Sequence, residues 1–151
     1  MKDIRLVIEE IEKHKEKLLY TKNKILSWGK LNISFFEDMD KVETIDSFIF
    51  RFAKMQSSMG ERFFPLVLEY LGEDVKGKPF IDILNRLEAL NLIPSAALWK
   101  EIRELRNRLV HIYPWEKNFL LEEITLALKY SQILIDIFEN IKKYLKNRQI
   151  I

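Results

Sequence analysis

The sequence predicts an all-α fold: an up-down bundle of about five helices, two of them long and antiparallel, forming a single domain over 1–151. Three observations predict it. Apolar residues recur three, four and seven apart over long stretches, which is the spacing of one helix face. The chain has only four Gly and four Pro in 151 residues, about 5% against a usual share near 12%, too few breakers for a sandwich or a doubly wound sheet. No segment alternates with the period of a strand, and there is no hairpin signal, internal repeat or low-complexity tract.

The first helix is expected over 3–28, with Ile4, Ile8, Ile11, Leu18 and Ile25 on one stripe and Lys13, Lys15, Lys17, Lys22 and Lys24 mostly off it. Gly29 suits a C′ position, because glycine enters the left-handed region without a Cβ clash. Residues 30–39 connect to a second helix capped by Asp40 or Thr44 and running to about Leu71. Its stripe is Ile45, Phe48, Phe52, Met55 and Met59, then Phe63 or Phe64. Proline lacks the N–H and its ring clashes with the preceding turn, so a kink or break is expected near Pro65.

Gly72 to Lys78 reads as a polar loop. Pro79 then opens a third helix over 79–91, with Ile81, Ile83, Leu84, Leu87 and Leu90. Pro94 and Ser95 start a fourth, Ser95 as N-cap, carrying Ile102, Leu105, Leu109 and Ile112 and stopping near Pro114. A fifth runs from about 116 to 147, with Leu120, Ile124, Leu128, Leu134, Ile137 or Phe138, Ile141 and Leu145 on its buried side. Lys142, Lys143, Lys146 and Arg148 complement the dipole in its last turns.

Composition narrows the chemistry. With 48% hydrophobic and 32% charged residues the chain can fill a core, which excludes disorder. Cysteine is absent, which removes disulfides, thiolate metal sites and a thiol nucleophile. No secretory h-region and no apolar run near 18 residues occurs, so a cytoplasmic protein without a membrane partner is expected. The 25 Lys and Arg nearly balance the 23 Asp and Glu. Binding to nucleic acid would therefore need a local patch. There is no phosphate-cradling Gly loop or nucleophile elbow. The two histidines, His14 and His111, do not form the one-turn pair of a zinc helix, so no metal or other cofactor is expected.

The fourth helix ends in Arg106-Asn107-Arg108-Leu109-Val110-His111-Ile112-Tyr113-Pro114. On an ideal helix Asn107 and His111 share a face, as do Arg106 and Tyr113, while Arg106 and His111 stand about 140° apart. The length of arginine and a loosened last turn before Pro114 can bring both to one phosphate. A guanidinium grips phosphate bidentately and an imidazole titrates near neutral pH. Together they suffice for RNA cleavage without a metal, in which the imidazole takes the ribose 2′-OH proton and arginine stabilises the charge growing on phosphorus. By itself, Arg-x₄-His is more often the pattern of a core-facing histidine at a helix end beside solvated arginines.

The longer string resembles the Arg-Asn-x₃-His-x-Tyr motif of the HEPN superfamily, in particular its HepT-like toxin branch. Asp46 to Gly60 resembles the second-helix segment of one HepT-like group, as do the Leu-Asn-Arg-Leu-Glu-Ala-Leu stretch ending at Leu90, the Ile93-Pro-Ser that follows it, and Trp99. The likeness spans about 40 to 140. It implies a HEPN-like bundle that dimerises with two motif helices facing each other, and a metal-independent endoribonuclease restrained by a minimal nucleotidyltransferase antitoxin. On that resemblance Arg106 and His111 match the catalytic pair, Asn107 the polar residue that positions them, and Tyr113 a target for modification with AMP. Arg108 is a further candidate for RNA phosphate. That group often carries an acid after the glutamine, whereas here Gln56 is followed by Ser57, a change expected to act through the histidine. A symmetric homodimer would also supply two histidines and gather four arginines in one cleft. The alternatives are a non-catalytic nucleotide- or substrate-binding subunit of a nucleotidyltransferase, and a plain helical interaction protein.

Overall fold

Asp3 starts the first helix by accepting a hydrogen bond from the Arg5 backbone N–H, in a computed structural model that describes residues 2–112 and 115–151. Helix α1 spans Ile4–Leu26, and a short 3₁₀ turn follows at Ile33–Glu37. Helix α2 is Met39–Ser58 and continues through a π-helical turn, Met59–Phe63, into α3, Phe64–Tyr70. Helices α4 (Phe80–Ala89), α5 (Ala96–Leu109) and α6 (Lys117–Asn147) complete an all-α bundle, with no strand among the described residues. With α2 and α3 counted as one interrupted helix, there are five.

The long first and last helices lie antiparallel, as expected. Lys15 Nζ donates to Glu139 Oε1 at 2.7 Å, Lys22 Nζ to Gln132 Oε1 at 2.9 Å, and Lys142 pairs with Glu12, so each step up α1 is a step down α6. Burial would raise the Glu12 carboxyl pKa, but hydrogen bonds and charges from Lys142 and Lys15 outweigh it and hold the pKa below its usual value. Between these helices the core is built by the predicted stripes: Ile4, Ile11, Leu18 and Ile25 from α1, Phe48, Phe52 and Met55 from α2, and Ile124, Leu134, Phe138 and Ile141 from α6.

Three local expectations are corrected. Asp38, not Asp40 or Thr44, caps α2: its Oδ1 accepts from the backbone N–H of Asp40 at 3.0 Å and of Lys41 at 3.3 Å. Helix α1 stops at Leu26, and Gly29, at φ +83°, serves the turn that follows. Helix α5 stops at Leu109, short of Pro114, in a closing turn where the Val110 N–H bonds to the Arg106 carbonyl and the His111 N–H to that of Arg108.

The expected break before Pro65 takes the form of the π turn, in which the Phe64 N–H reaches back five residues to the Met59 carbonyl. The wider turn admits Pro65 at the start of α3 without ending the run of helix. It also brings Gly60 against α5. A Cβ at Gly60 would stand 3.3 Å from Trp99 Cζ2 and 3.6 Å from Phe80 Cζ. Trp99 is buried and packs on Phe64, with ring centroids 4.5 Å apart, so it has little room to yield. Gly60→Val should therefore destabilise the fold by about 1–3 kcal/mol, the usual range for overpacking. A lower urea midpoint with an unchanged slope would register this; an unchanged midpoint would show that Trp99 can move.

Candidate functional site

Leu105 and Leu109 turn into the core, which leaves Arg106 on the flank of α5 facing α2. Its guanidinium is fixed from two sides. Nη1 donates to Asn107 Oδ1 and Nη2 to Ser57 Oγ, each at 2.8 Å. Both acceptors are neutral, and Arg106 forms no ion pair with a described residue. Its Nε lies buried without a hydrogen-bond partner. An arginine held by neutral oxygens keeps its whole charge for an anion. The two spare N–H bonds of its terminal nitrogens remain for that purpose.

Position 57 thus touches the arginine of the motif. The contact is a hydrogen bond across 49 residues of sequence. An acid at this position would neutralise the guanidinium, whereas serine orients it and leaves it cationic.

His111 stands beyond the end of α5, exposed, with its backbone N–H bonded to the Arg108 carbonyl at 3.1 Å in a tight final turn. Its ring makes no hydrogen bond or ion pair with a described residue. Because the helix ends at Leu109, the ideal 100° step that placed Asn107 and His111 on one face does not extend to the histidine. The remaining candidate, Tyr113, lies outside the described residues.

Arg108 is differently placed. Its Nε and Nη2 donate to the two carboxylate oxygens of Glu123 on α6, at 2.8 and 3.2 Å. Glu123 is only 6% exposed, so this fork compensates a buried charge and ties α5 to α6. The hydrogen bond to Glu123 raises the pKa of the guanidinium further.

Beside Arg106 lies a cavity of about 220 Å³, bounded by Gln56, Ser57, Gly60, Phe80, Arg103 and Arg106. Arg103, one turn before Arg106 on α5, is exposed and stands 5.8 Å from the centre of the Phe80 ring. It was not singled out from the sequence, although its i, i+3 spacing to Arg106 is the signal that would have found it. On α2, Phe50, Lys54 and Ser57 follow at helical spacing on one face. The exposed Phe50 ring carries Arg51 Cζ at 5.0 Å and Lys54 Nζ at 5.5 Å.

Other concavities fit less chemistry. A larger one, about 650 Å³, lies between α1 and the start of α2, and its walls alternate Glu16, Asp40 and Glu43 with Lys17, Lys24 and Arg51. His14 on α1 has a buried, unpartnered Nδ1. Burial lowers its pKa; Glu10 opposes that, while Arg51, Lys54 and Arg62 add to it. Glu10 itself is held by Arg62, with Oε2 and Nη2 2.6 Å apart as an ion pair without hydrogen-bond alignment. Among the described residues no three His, Asp or Glu side chains converge as metal ligands, and no helix is long and apolar enough to cross a membrane.

No family model, curated protein or solved structure matches this chain. The two motif arginines should separate in their effect on stability. Arg108→Ala leaves Glu123 buried and unpaired, and should cost about 1–3 kcal/mol, less than for a fully buried pair because Arg108 is partly solvated. Arg106→Ala breaks only bonds to neutral acceptors and should cost about 1 kcal/mol or less. Chemical denaturation of both variants would test this, and equal losses would contradict it.

Proposed function

We propose that the protein is a metal-independent endoribonuclease toxin that acts as a homodimer, with Arg106 and His111 at its active site. The observation that carries this reading is the guanidinium of Arg106, oriented by Asn107 and Ser57 and compensated by no carboxylate. Three other arginines are committed to carboxylates: Arg108 to Glu123, Arg62 to Glu10, Arg86 to Glu73. A positioned, uncompensated arginine five residues before an exposed imidazole suits a phosphodiester. The likeness of the motif to HepT-like sequences points the same way.

In the proposed reaction the neutral imidazole of His111 accepts the proton of a ribose 2′-OH. The 2′ oxygen attacks the adjacent phosphorus, the bond from phosphorus to the 5′ oxygen breaks, and a 2′,3′-cyclic phosphate remains. The departing 5′ oxygen takes a proton from a second imidazole, which a symmetric partner would supply. Arg106 stabilises the added negative charge on the non-bridging oxygens. Asn107 and Ser57 position Arg106 and contact no reacting atom.

Two surface features support the reading. Val110, Trp115 and Phe119, which flank His111 in sequence, are 49%, 73% and 42% exposed, apolar surface near the motif in sequence that a second copy of the chain would cover. The Phe50 ring with Arg51 and Lys54 joins an aromatic face to two cations on the helix that anchors Arg106, a pairing that suits single-stranded RNA.

Purified protein should cut RNA in EDTA, leave cyclic phosphate ends, and sediment as a dimer. His111→Ala should lose about 10²- to 10⁴-fold in rate, as expected for a general acid–base group. Undiminished cleavage by that variant would remove His111 from the mechanism. Binding of RNA or nucleotide without any cleavage would favour the reading as a non-catalytic subunit of a nucleotidyltransferase.

Control is proposed to come from a minimal nucleotidyltransferase antitoxin that transfers AMP from ATP to the phenol of Tyr113, the phenolic oxygen bonding to the α-phosphorus as pyrophosphate leaves and the phenolic proton is lost. The added phosphodiester would carry about one negative charge, and it could compete with RNA for Arg106. Mass spectrometry after co-expression should show one or more AMP units on the silenced protein, and none on Tyr113→Phe. An unmodified mass in a silent complex would mean inhibition by binding alone.

A further inference from the structure

The wall of the cavity beside Arg106 holds polar groups that the proposed chemistry does not use. Gln56 is 4% exposed, yet its side-chain amide makes no hydrogen bond with a described residue. Arg106 Nε and Trp99 Nε1 are fully buried without partners, and Trp99 stands behind Gly60, which lines the cavity. Burying an N–H without a partner is unfavourable, and such groups are normally satisfied. Here the amide of Gln56 borders an open volume next to an uncompensated guanidinium.

We infer that this cavity is a nucleobase subsite selective for adenine, taking the base of the nucleotide whose phosphate rests on Arg106. The RNA origin of that nucleotide rests on the ribonuclease reading; the recognition chemistry does not. A volume of about 220 Å³ suits one planar heterocycle and is too small for a whole drug-sized ligand. Phe80 and Pro65 give the cavity its apolar surfaces, and an aromatic wall favours a stacked base. Gly60 leaves that space open, since a side chain there would project among Trp99 and Phe80.

The polar groups decide among bases. A glutamine amide presents one donor beside one acceptor, which matches the N6 amine and N7 of adenine. The second hydrogen of the N6 amine is then free for an acceptor, and Glu61 supplies a carboxylate at the same cavity. Guanine and uracil would turn a carbonyl oxygen toward that carboxylate. Cytosine has the right amine but a smaller ring to set against Phe80 and Pro65. Arg103, which stands over Phe80, adds a second cation for the sugar-phosphate backbone. Gln56 and Ser57 are consecutive on α2, so the residue that would read the base adjoins the one that orients the phosphate-binding arginine.

The test is equilibrium titration of the full-length protein with the 3′-monophosphates of adenosine, cytidine, guanosine and uridine, in parallel with sequencing of RNA cleavage sites. Adenosine 3′-monophosphate should bind about tenfold more tightly than the guanosine and uridine compounds. Gln56→Leu, similar in size and without polar atoms, should level the four affinities while the circular dichroism spectrum is retained. If that variant does not fold, Glu61→Ala at the exposed acidic side should weaken the preference for adenosine over guanosine. Equal affinities in the unmodified protein, or a preference untouched in folded Gln56→Leu, would overturn the inference. A preference for adenosine 5′-monophosphate without any bias at RNA cleavage sites would assign the cavity to a free nucleotide and overturn its place on the RNA. Adenine selectivity without RNA cleavage would keep the subsite and discard the ribonuclease reading. Cleavage without base preference, together with equal affinities, would do the reverse.

Discussion

The passage of α5 across the end of α2 at Gly60 is the constraint on which the candidate site depends. Only a residue without a side chain lets the indole of Trp99 approach so closely, and that contact fixes the height at which the two helices cross. Once the height is set, Arg106 meets Ser57, and the gap between the helices becomes the cavity bounded by Phe80 and Arg103. The π turn serves the same end. By widening one turn before Pro65, it keeps the chain helical past the crossing and lets Phe64 back up Trp99 from below.

Charge is distributed with the same economy. The net charge is small because 25 Lys and Arg nearly balance 23 Asp and Glu, and several of the cations meet an anion: Lys15 and Lys142 interlock with Glu12 and Glu139 across α1 and α6, and Arg108 forks onto Glu123 between α5 and α6. The pairs Lys15–Glu139, Lys142–Glu12 and Arg108–Glu123 each fasten two helices together. Arg106, like Lys22 on Gln132, is held by neutral oxygens instead. Hydroxyl and amide oxygens hold its geometry without cancelling its field, which is how a protein preorganises a cation for an incoming anion. Two arginines two positions apart in sequence thus have different partners, a buried carboxylate for Arg108 and two neutral oxygens for Arg106.

Position 57 shows how a single side chain can tune such a site. A carboxylate there would bind Arg106 more strongly than the hydroxyl of Ser57 does, and an incoming phosphate would have to displace it. Serine keeps the orientation and removes the competition. The neighbouring Gln56 follows a different logic, since a neutral amide can be buried beside two guanidinium groups without pairing with them. In the proposed subsite it is the group that reads the base.

Helix periodicity by itself determined the architecture. The apolar stripes, the cap at Ser95, the opening at Pro79 and the two long antiparallel helices were legible because they depend on spacing and on local backbone chemistry. The motif was legible as a string of residue types. What the string meant, residue by residue, was not. Asp38 was passed over as a cap because Asp40 and Thr44 offered equally good oxygens nearby, and only the backbone angle at the turn chose between them. Arg106 and Arg108 look alike in sequence, and so do the many glutamates; which of them pair depends on the relative height and rotation of helices. Ser57 and Arg106 lie 49 residues apart, and Gln56 reads as an ordinary polar residue on a helix until its burial against α5 is known. Local sequence sets which face of each helix is apolar. The packing of large side chains around Gly60 sets the register between faces, and the register alone decides which polar groups meet, which are neutralised, and which are left to face a ligand.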